Sequence, residues 1–382
     1  MTIILYIIII VCILAVLHTY VIYPSFLKLV PQKTLIYEEE KLNAISVIMA
    51  AYNEEKVIGE KIQSILNSDY PMELVTVYVG SDASTDRTNE IVKSLSKKNA
   101  NIKLVEFGGR SGKSAIINQL AEKSQDEILI LTDANVIFDK QTIKNLNRHF
   151  IDTKVHQVAA NICKISEKNI KIQGVEKKYI QRENHMKKAE SDLWEIVIGA
   201  EGGCYAIRKN KYIPVPKNFF MDDFFITMGV LQNGGKVLFD HEAVCYEDVP
   251  SESQEEFKRK IRISIGNFQN LKTYKKLLWP FWKGLGFAFL SHKVLRWYTP
   301  FFLLILYFSS LILSYSSQLF LVFTLFQLIL LASPILLRFN LNFKPALFIA
   351  HFYNMNYALL KGFIEFKKGV KSNIWQPTKR NA

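Results

Sequence analysis

Cysteine is scarce in this chain. There are four in 382 residues, Cys12, Cys163, Cys204 and Cys245, and none falls in CxxC spacing. That disfavours a zinc site or a disulfide framework, and the four read as isolated reduced thiols in a cytosol-facing protein. No GxGxxG follows the first apolar strand-like run, which argues against a dinucleotide-binding fold. The stretch Gly108-Gly109-Arg110-Ser111-Gly112-Lys113-Ser114 is one residue shorter than a phosphate-binding P-loop requires. Internal repeats and low-complexity linkers are also missing. No Lys/Arg run is interleaved with aromatics, so the net charge of +13 does not describe a nucleic-acid groove, and no nucleic-acid partner is expected. The excess sits beside apolar segments, at Lys258-Arg259-Lys260, Lys275-Lys276 and Lys367-Lys368. That placement suits an anionic membrane surface and anionic ligands.

The apolar residues, 49% of the chain, concentrate at its two ends. Ile3 to Tyr23 carries no Asp, Glu, Lys or Arg and is long enough to span a bilayer, which takes roughly 20 residues. It lacks a basic leader and a small-residue cleavage site, so it reads as a retained anchor over residues 1–27. Lys28, Lys33 and Lys41 follow it and place the next segment in the cytoplasm. Trp297 to Tyr315 and Leu319 to Leu337 read as two further spans with basic flanks, and Leu278 to Leu290 as an interfacial helix. Pro345 to Phe366 fits either a span or an interfacial segment. Residues 278–366 are thus interfacial and transmembrane helices, and 367–382 form a basic cytoplasmic tail. The expected location is the cell membrane, multi-pass, with the lipid bilayer as a partner.

Residues 42–277 read as a soluble α/β domain. Apolar strand-like runs near Ile45, Leu74, Ile102 and Ile128 alternate with helix-length amphipathic stretches, the rhythm of βαβ units and a parallel sheet. The run Ile128 to Thr132 ends at Asp133-Ala134-Asn135. In open α/β sheets, ligands bind at the carboxyl ends of strands. A carboxylate there with an amide oxygen two residues on suits a hard cation that also carries phosphate oxygens. Ile45 to Ala51 runs into Tyr52-Asn53-Glu54-Glu55, and Leu74 to Val79 into an acidic loop at Ser81-Asp82-Ala83-Ser84-Thr85-Asp86. Three strands therefore deliver acidic loops to one edge.

These segments resemble the family-2 inverting glycosyltransferases of GT-A fold, in their membrane-embedded, processive-synthase-like branch. The resemblance covers the soluble middle and the flanking spans. It implies an α/β, Rossmann-like domain with a mostly parallel sheet and N- and C-terminal transmembrane or interfacial helices. Ala51, Tyr52 and Glu54 lie in the segment that matches the family's base and ribose contacts, and Asp82 matches its uracil-binding aspartate. Gly112-Lys113 matches a glycine-lysine pair near the nucleotide, and Asp133-Ala134-Asn135 takes the place of the Asp-x-Asp metal motif. Gly202, Gly203 and Cys204 resemble the acceptor-side glycine segment, and Asp222-Asp223 the motif carrying the catalytic base. Arg259 and Arg262 resemble the Q/R-x-x-R-W motif of processive synthases. The segment around Trp375 resembles a Trp-x-Thr-basic closing segment. Two departures stand out: Asn135 replaces the second aspartate of the metal motif, and Ile263 replaces the tryptophan.

The implied chemistry is transfer from a UDP-sugar to a glycan or lipid-linked acceptor. Asp133 and Asn135 would bind Mg²⁺ or Mn²⁺ with the donor diphosphate, and an aspartate at 135 is expected to tighten that site. Arg259 and Arg262 would add fixed positive charge beside the leaving group. Asp223, beside Asp222, would deprotonate the acceptor. Simpler readings stand next to each: a helix N-cap for Asp133, an acidic first turn for Asp222-Asp223, an Asx-turn for Asp82, an exposed lysine for Lys113, a basic lipid-facing surface for the arginines. Two alternatives remain for the whole chain, a processive polysaccharide synthase and a non-catalytic scaffold that binds nucleotide sugar as a signal.

Overall fold

The computed structural model describes residues 2–31, 33, 37, 41–165, 173–248, 253–338 and 344–370. Trp375 and the rest of the tail lie outside the described residues. Two units are present, one of Met1–Leu29 with Glu252–Gly369 and one built on Val30–Ser251. The chain opens with α1 (Thr2–Leu17), a π-helical turn (His18–Ile22) and α2 (Tyr23–Leu27), which follow one another without a break.

In the Val30–Ser251 unit the elements run β1 (Ile45–Ala51), α3 (Ile58–Leu66), β2 (Val75–Ser81), α4 (Thr88–Lys98), β3 (Ile102–Glu106), α5 (Lys113–Lys123) and β4 (Ile128–Thr132). Then come β5 (Val136–Phe138), α6 (Thr142–Arg148), β6 (Val155–Ile165), α7 (Gln173–Trp194), β7 (Cys204–Arg208), α8 (Asp222–Gln232) and β8 (Lys236–Asp248). The eight strands form one sheet in the order β3-β2-β1-β4-β7-β6-β8-β5. All five residues of β4 and all but one of β1 are buried. Helices cover both faces of such strands, which is why they read as continuous apolar runs rather than alternating ones. α3 shows the complementary pattern: Ile58, Ile62 and Ile65 recur at helical spacing and are fully buried.

The sheet is mixed but mostly parallel, as expected: six strands share one direction, and β7 and β5 run against them. β1 pairs in parallel with β2 and β4, and β2 with β3. β7 runs antiparallel to β4 and β6, β5 antiparallel to β8, and β6 parallel to β8. The chain moves outward from β1 to β3 and then returns to lay β4 on the other side of β1. That reversal is a topological switch point, where open α/β sheets leave a crevice at the strand ends. Because β7 is antiparallel, its leading residues Gly202 and Gly203 come to the same edge as the ends of β1, β2 and β4.

The helical unit adds α9 (Ser253–Tyr274), α10 (Gly284–Ala288), a π-helical turn (Phe289–Val294), α11 (Leu295–Ser314), α12 (Gln318–Ala332) and α13 (Lys344–Lys368). Three helical stretches among the described residues are long and apolar enough to cross a membrane: Thr2–Leu27, Gly284–Ser314 and Gln318–Ile335. α10 is therefore continuous with the span through α11. α1 packs on α11 through Ile9, Cys12, Leu306 and Leu313. Ser310 accepts from Thr324 at 3.0 Å and from Gln327 at 2.8 Å, tying α11 to α12. Such hydrogen bonds between spans keep polar groups paired away from water.

Candidate active site

Two of the sequence motifs are stitched together by their own polar groups. Thr85 N–H donates to Asn53 Oδ1 at 2.8 Å, Glu55 N–H to Asp86 Oδ2 at 3.0 Å, and Glu54 N–H to Thr88 Oγ1 at 2.9 Å. Asp86 also accepts from the Thr88 amide at 3.0 Å, at the first residue of α4. Asn53, Glu55 and Asp86 are thus committed to the frame, and Glu54 is buried with them. Asn53, Ala83 and Met221 all hold positive φ, 54°, 57° and 59°, in loops at this edge. Left-handed backbone outside glycine costs energy and gathers at functional sites.

Asp82 is buried at the end of β2, with its amide donating to Ala51 O at 2.8 Å. Its carboxylate accepts from Arg110 Nε at 3.0 Å, Ser111 N–H at 2.5 Å and Gly112 N–H at 3.2 Å. The Arg110 guanidinium lies 3.3 Å from the centre of the Tyr52 ring. Ala51, Tyr52 and Asp82 are therefore brought together, and Arg110 joins them. Arg110 carried no motif of its own; only its place in the glycine-rich loop pointed to it. Gly112 holds φ +82° at the N-cap of α5, a conformation that favours glycine and sets Lys113 as the first helical residue.

Lys113 links the other carboxylates. Its ammonium lies 2.6 Å from Asp133 Oδ1 and 3.7 Å from Asp222 Oδ2. Burial alone would pull its pKa down, but Asp133, Asp222 and Asp223 outweigh burial and hold it above the usual lysine value. Asp133 is anchored by its N–H to Gly203 O at 3.2 Å, and Thr132 Oγ1 donates to the same carbonyl at 2.8 Å. Beneath this loop lies Lys61, fully buried, whose ammonium donates to Thr132 Oγ1 at 3.0 Å and to the Val136 carbonyl. Burial pushes the Lys61 pKa down to about 8, against a weaker upward pull that includes Asp133.

Asp223 begins α8 beside Asp222. A Cβ at Gly202 would sit 3.1 Å from Asp223 Oδ2, so any larger residue there would press on that carboxylate. The pKa of Asp223 is pushed up to about 7, first by burial and then by the Asp222 carboxylate. Lys113 and the amides of Phe224 and Gly202 oppose the rise. A carboxyl poised near neutrality is suited to accept a proton. Tyr205, opposite Leu131 on β7, is buried, and its hydroxyl has no partner among the described residues. Burial, followed by Asp222, Tyr212, Asp223 and Asp133, raises its pKa and keeps the phenol protonated, a hydrogen-bond donor.

The remaining expected residues fall out differently. Gly203 serves through its carbonyl. Cys204 is fully buried in the hydrophobic core, so its side chain does not face an acceptor; burial follows from its register opposite Thr132. Arg259 and Arg262 lie on α9 in the helical unit.

No three His, Cys, Asp or Glu side chains converge as a cation cage among the described residues. Mg²⁺ usually takes one or two carboxylates plus substrate phosphates. Asp133 offers a carboxylate whose Oδ1 carries the Lys113 contact, and Asn135 follows at i+2. The Asn135 nitrogen donates to Glu247 Oε1 at 3.4 Å, so the amide's oxygen end is the one left for a cation. The residues fit a cation that arrives with a diphosphate.

The description "Glycosyl transferase family 2" matches residues 46–213, and "Glycosyl transferase family group 2" matches residues 204–359. A beta-monoglucosyldiacylglycerol synthase of Synechocystis sp. is 32% identical over 108 residues, 28% of this chain and 22% of the synthase. The poly-beta-1,6-N-acetyl-D-glucosamine synthase of Staphylococcus epidermidis is 25% identical over 286 residues, 72% of this chain and 66% of that one. The aligned part is thus about a fifth of the first relative and about two thirds of the second. Among solved structures, the mannosyltransferase PcManGT of Pyrobaculum calidifontis, in complex with GDP-Man and Mn²⁺, aligns with a TM-score of 0.72 over 95% of this chain and 99% of that one. Its sequence identity is 21%, so the likeness bears on the fold.

Proposed function

We propose that this chain, which belongs to glycosyl transferase family 2, is a membrane-bound inverting glycosyltransferase that moves a sugar from a nucleotide-diphosphate donor to a polysaccharide or lipid-linked acceptor. The observation that carries the reading is Asp223. Its carboxyl is raised to about 7 beside Gly202, and its neighbour Asp222 stands across Lys113 from Asp133. Inversion needs one base that takes the acceptor's hydroxyl proton as that oxygen attacks the sugar carbon. Asp223 takes the proton, the new glycosidic bond forms, and the bond to the nucleoside diphosphate breaks. Lys113 keeps a positive charge beside the leaving group's side of the site. A divalent cation bound by Asp133 and Asn135 would supply further positive charge to that leaving group.

Tyr52 and Asp82 bind the base, and the uracil reading of Asp82 makes the donor a UDP-sugar. In the described conformation Arg110 covers Tyr52 and pairs with Asp82. The base must therefore displace this guanidinium or bind against it. The family resemblance is what supports a donor-side role for Arg259, Arg262 and the Trp375 segment, the last of which lies outside the described residues. Lys28, Lys33 and Lys41 after the first span support a cytoplasmic catalytic unit. Ile263 in place of tryptophan favours single transfer over chain growth.

The test is a screen of UDP- and GDP-sugars with the full chain in membranes, scoring release of the nucleoside diphosphate and labelled product. Asp223→Asn should keep donor binding and lose about 10²-fold or more in turnover. Release of no nucleotide from any donor, or an unchanged rate in Asp223→Asn, would refute the assignment.

A further inference from the structure

Glu247 carries no motif, yet the sheet register delivers it to the Asp133–Asn135 loop. β8 lies between β5 and β6, and Glu247 stands opposite Val136 on one side and Lys164 on the other. Residues directly opposite on neighbouring strands bring their Cβ atoms to about 5 Å. Glu247 Oε2 accordingly meets the Lys164 ammonium at 2.5 Å, while Oε1 accepts from Asn135 Nδ2 at 3.4 Å. The pair is shielded, with the Lys164 side chain 8% and the Glu247 side chain 15% exposed.

An amide has two unlike ends, a donating nitrogen and an accepting oxygen, and only the oxygen ligates a hard cation. An ionised carboxylate accepts and never donates, so Glu247 can hold Asn135 only by its nitrogen. We propose that Glu247 is a positioning residue that turns the Asn135 amide oxygen-first toward the divalent cation and donor diphosphate, with Lys164 fixing the carboxylate from the far strand. The inference rests on reading Asp133 and Asn135 as the cation's ligands. It also accounts for asparagine at this position. An aspartate at 135 would face Glu247 at the spacing where the amide now bonds, two acceptors with like charge and no proton between them. The substitution that sequence alone expects to tighten the site therefore gains nothing while Glu247 keeps its charge.

The test measures Mn²⁺ binding to the full chain in nanodiscs by electron paramagnetic resonance, in parallel with UDP and with GDP. Glu247→Gln should weaken Mn²⁺ binding about 10-fold or more, because glutamine can hold either end of the amide. Asn135→Asp should bind no tighter than wild type. The double variant Asn135→Asp/Glu247→Gln should bind tighter than Asn135→Asp alone. That ranking compares two proteins with the same residue at 135, and a general loss of stability at 247 would produce the opposite order. Glu247→Gln within twofold of wild type, or a double variant no tighter than Asn135→Asp, overturns the positioning role. Asp133→Ala provides the separate control: Mn²⁺ binding equal to wild type there would sink the cation reading itself, and this inference with it.

Discussion

The acid limb of the pH profile should belong to Asp223 and should move when Asp222 is neutralised. Burial is the largest cause of the raised carboxyl, and the Asp222 charge is the next. With a value of about 7, the carboxyl is protonated below neutrality and cannot accept the acceptor's proton. Transfer should therefore rise as pH rises. The free enzyme's groups govern kcat/KM, so that parameter should be half-maximal near pH 7 and about a tenth of its plateau one unit lower. Asp222→Asn removes the second cause and leaves the first. The limb should move to lower pH without reaching the ordinary aspartate range. A downward move of about one unit would raise kcat/KM at pH 6, relative to the plateau, about fivefold. Initial rates with labelled donor, at constant ionic strength and constant free Mn²⁺, give the profile. Asp223→Asn should retain only a low rate without that limb. A flat wild-type profile between pH 5.5 and 8, or an unmoved limb in Asp222→Asn, would refute the assignment of Asp223 as the base.

Asp133→Ala should abolish transfer while leaving the fold intact by circular dichroism, and full activity of that variant in excess EDTA would contradict a cation at this loop. Gly202→Ala puts a methyl 3.1 Å from Asp223 Oδ2, so kcat should fall about 10-fold or more with little change in donor KM. Arg110→Ala frees the Tyr52 face and the Asp82 carboxylate. If the arginine competes with the base, donor KM falls; a rise in KM means that it binds the base instead, and isothermal titration with UDP and GDP reads the sign.

The sequence made the buried strands legible because two covered faces leave no polar alternation in β1 and β4. It also exposed the carboxylates, since each stands where an apolar run stops. Pairing direction was harder. β7 and β5 are short, three to five residues, and nothing in Cys204–Arg208 says that it runs against β4. The mostly parallel sheet was legible, but not that β7 and β5 are the two strands that run against the other six. One residue of register decides which side chain of a strand meets the core. Gly203 turns its carbonyl to Asp133, and Cys204 consequently enters the core.

The same reasoning explains which site residues stayed hidden. Motif spacing finds groups that meet a ligand, because a ligand constrains residue type at fixed positions in a loop. It does not find groups that act on those groups from a neighbouring strand. Lys61 reads as one more polar residue of an amphipathic helix, yet it is buried and bonds to Thr132 and Val136, on either side of the Asp133–Asn135 loop. Glu247 reads as part of an acidic strand end, yet it faces Asn135 across a ladder 112 positions away in sequence. Both supports come from outside the loop. A buried ammonium below fixes the loop's backbone, and a carboxylate beside it fixes one amide. On the proposed reading of Asp133 and Asn135, an incoming diphosphate would meet ligands that are already oriented, and its binding energy would not be spent on ordering them.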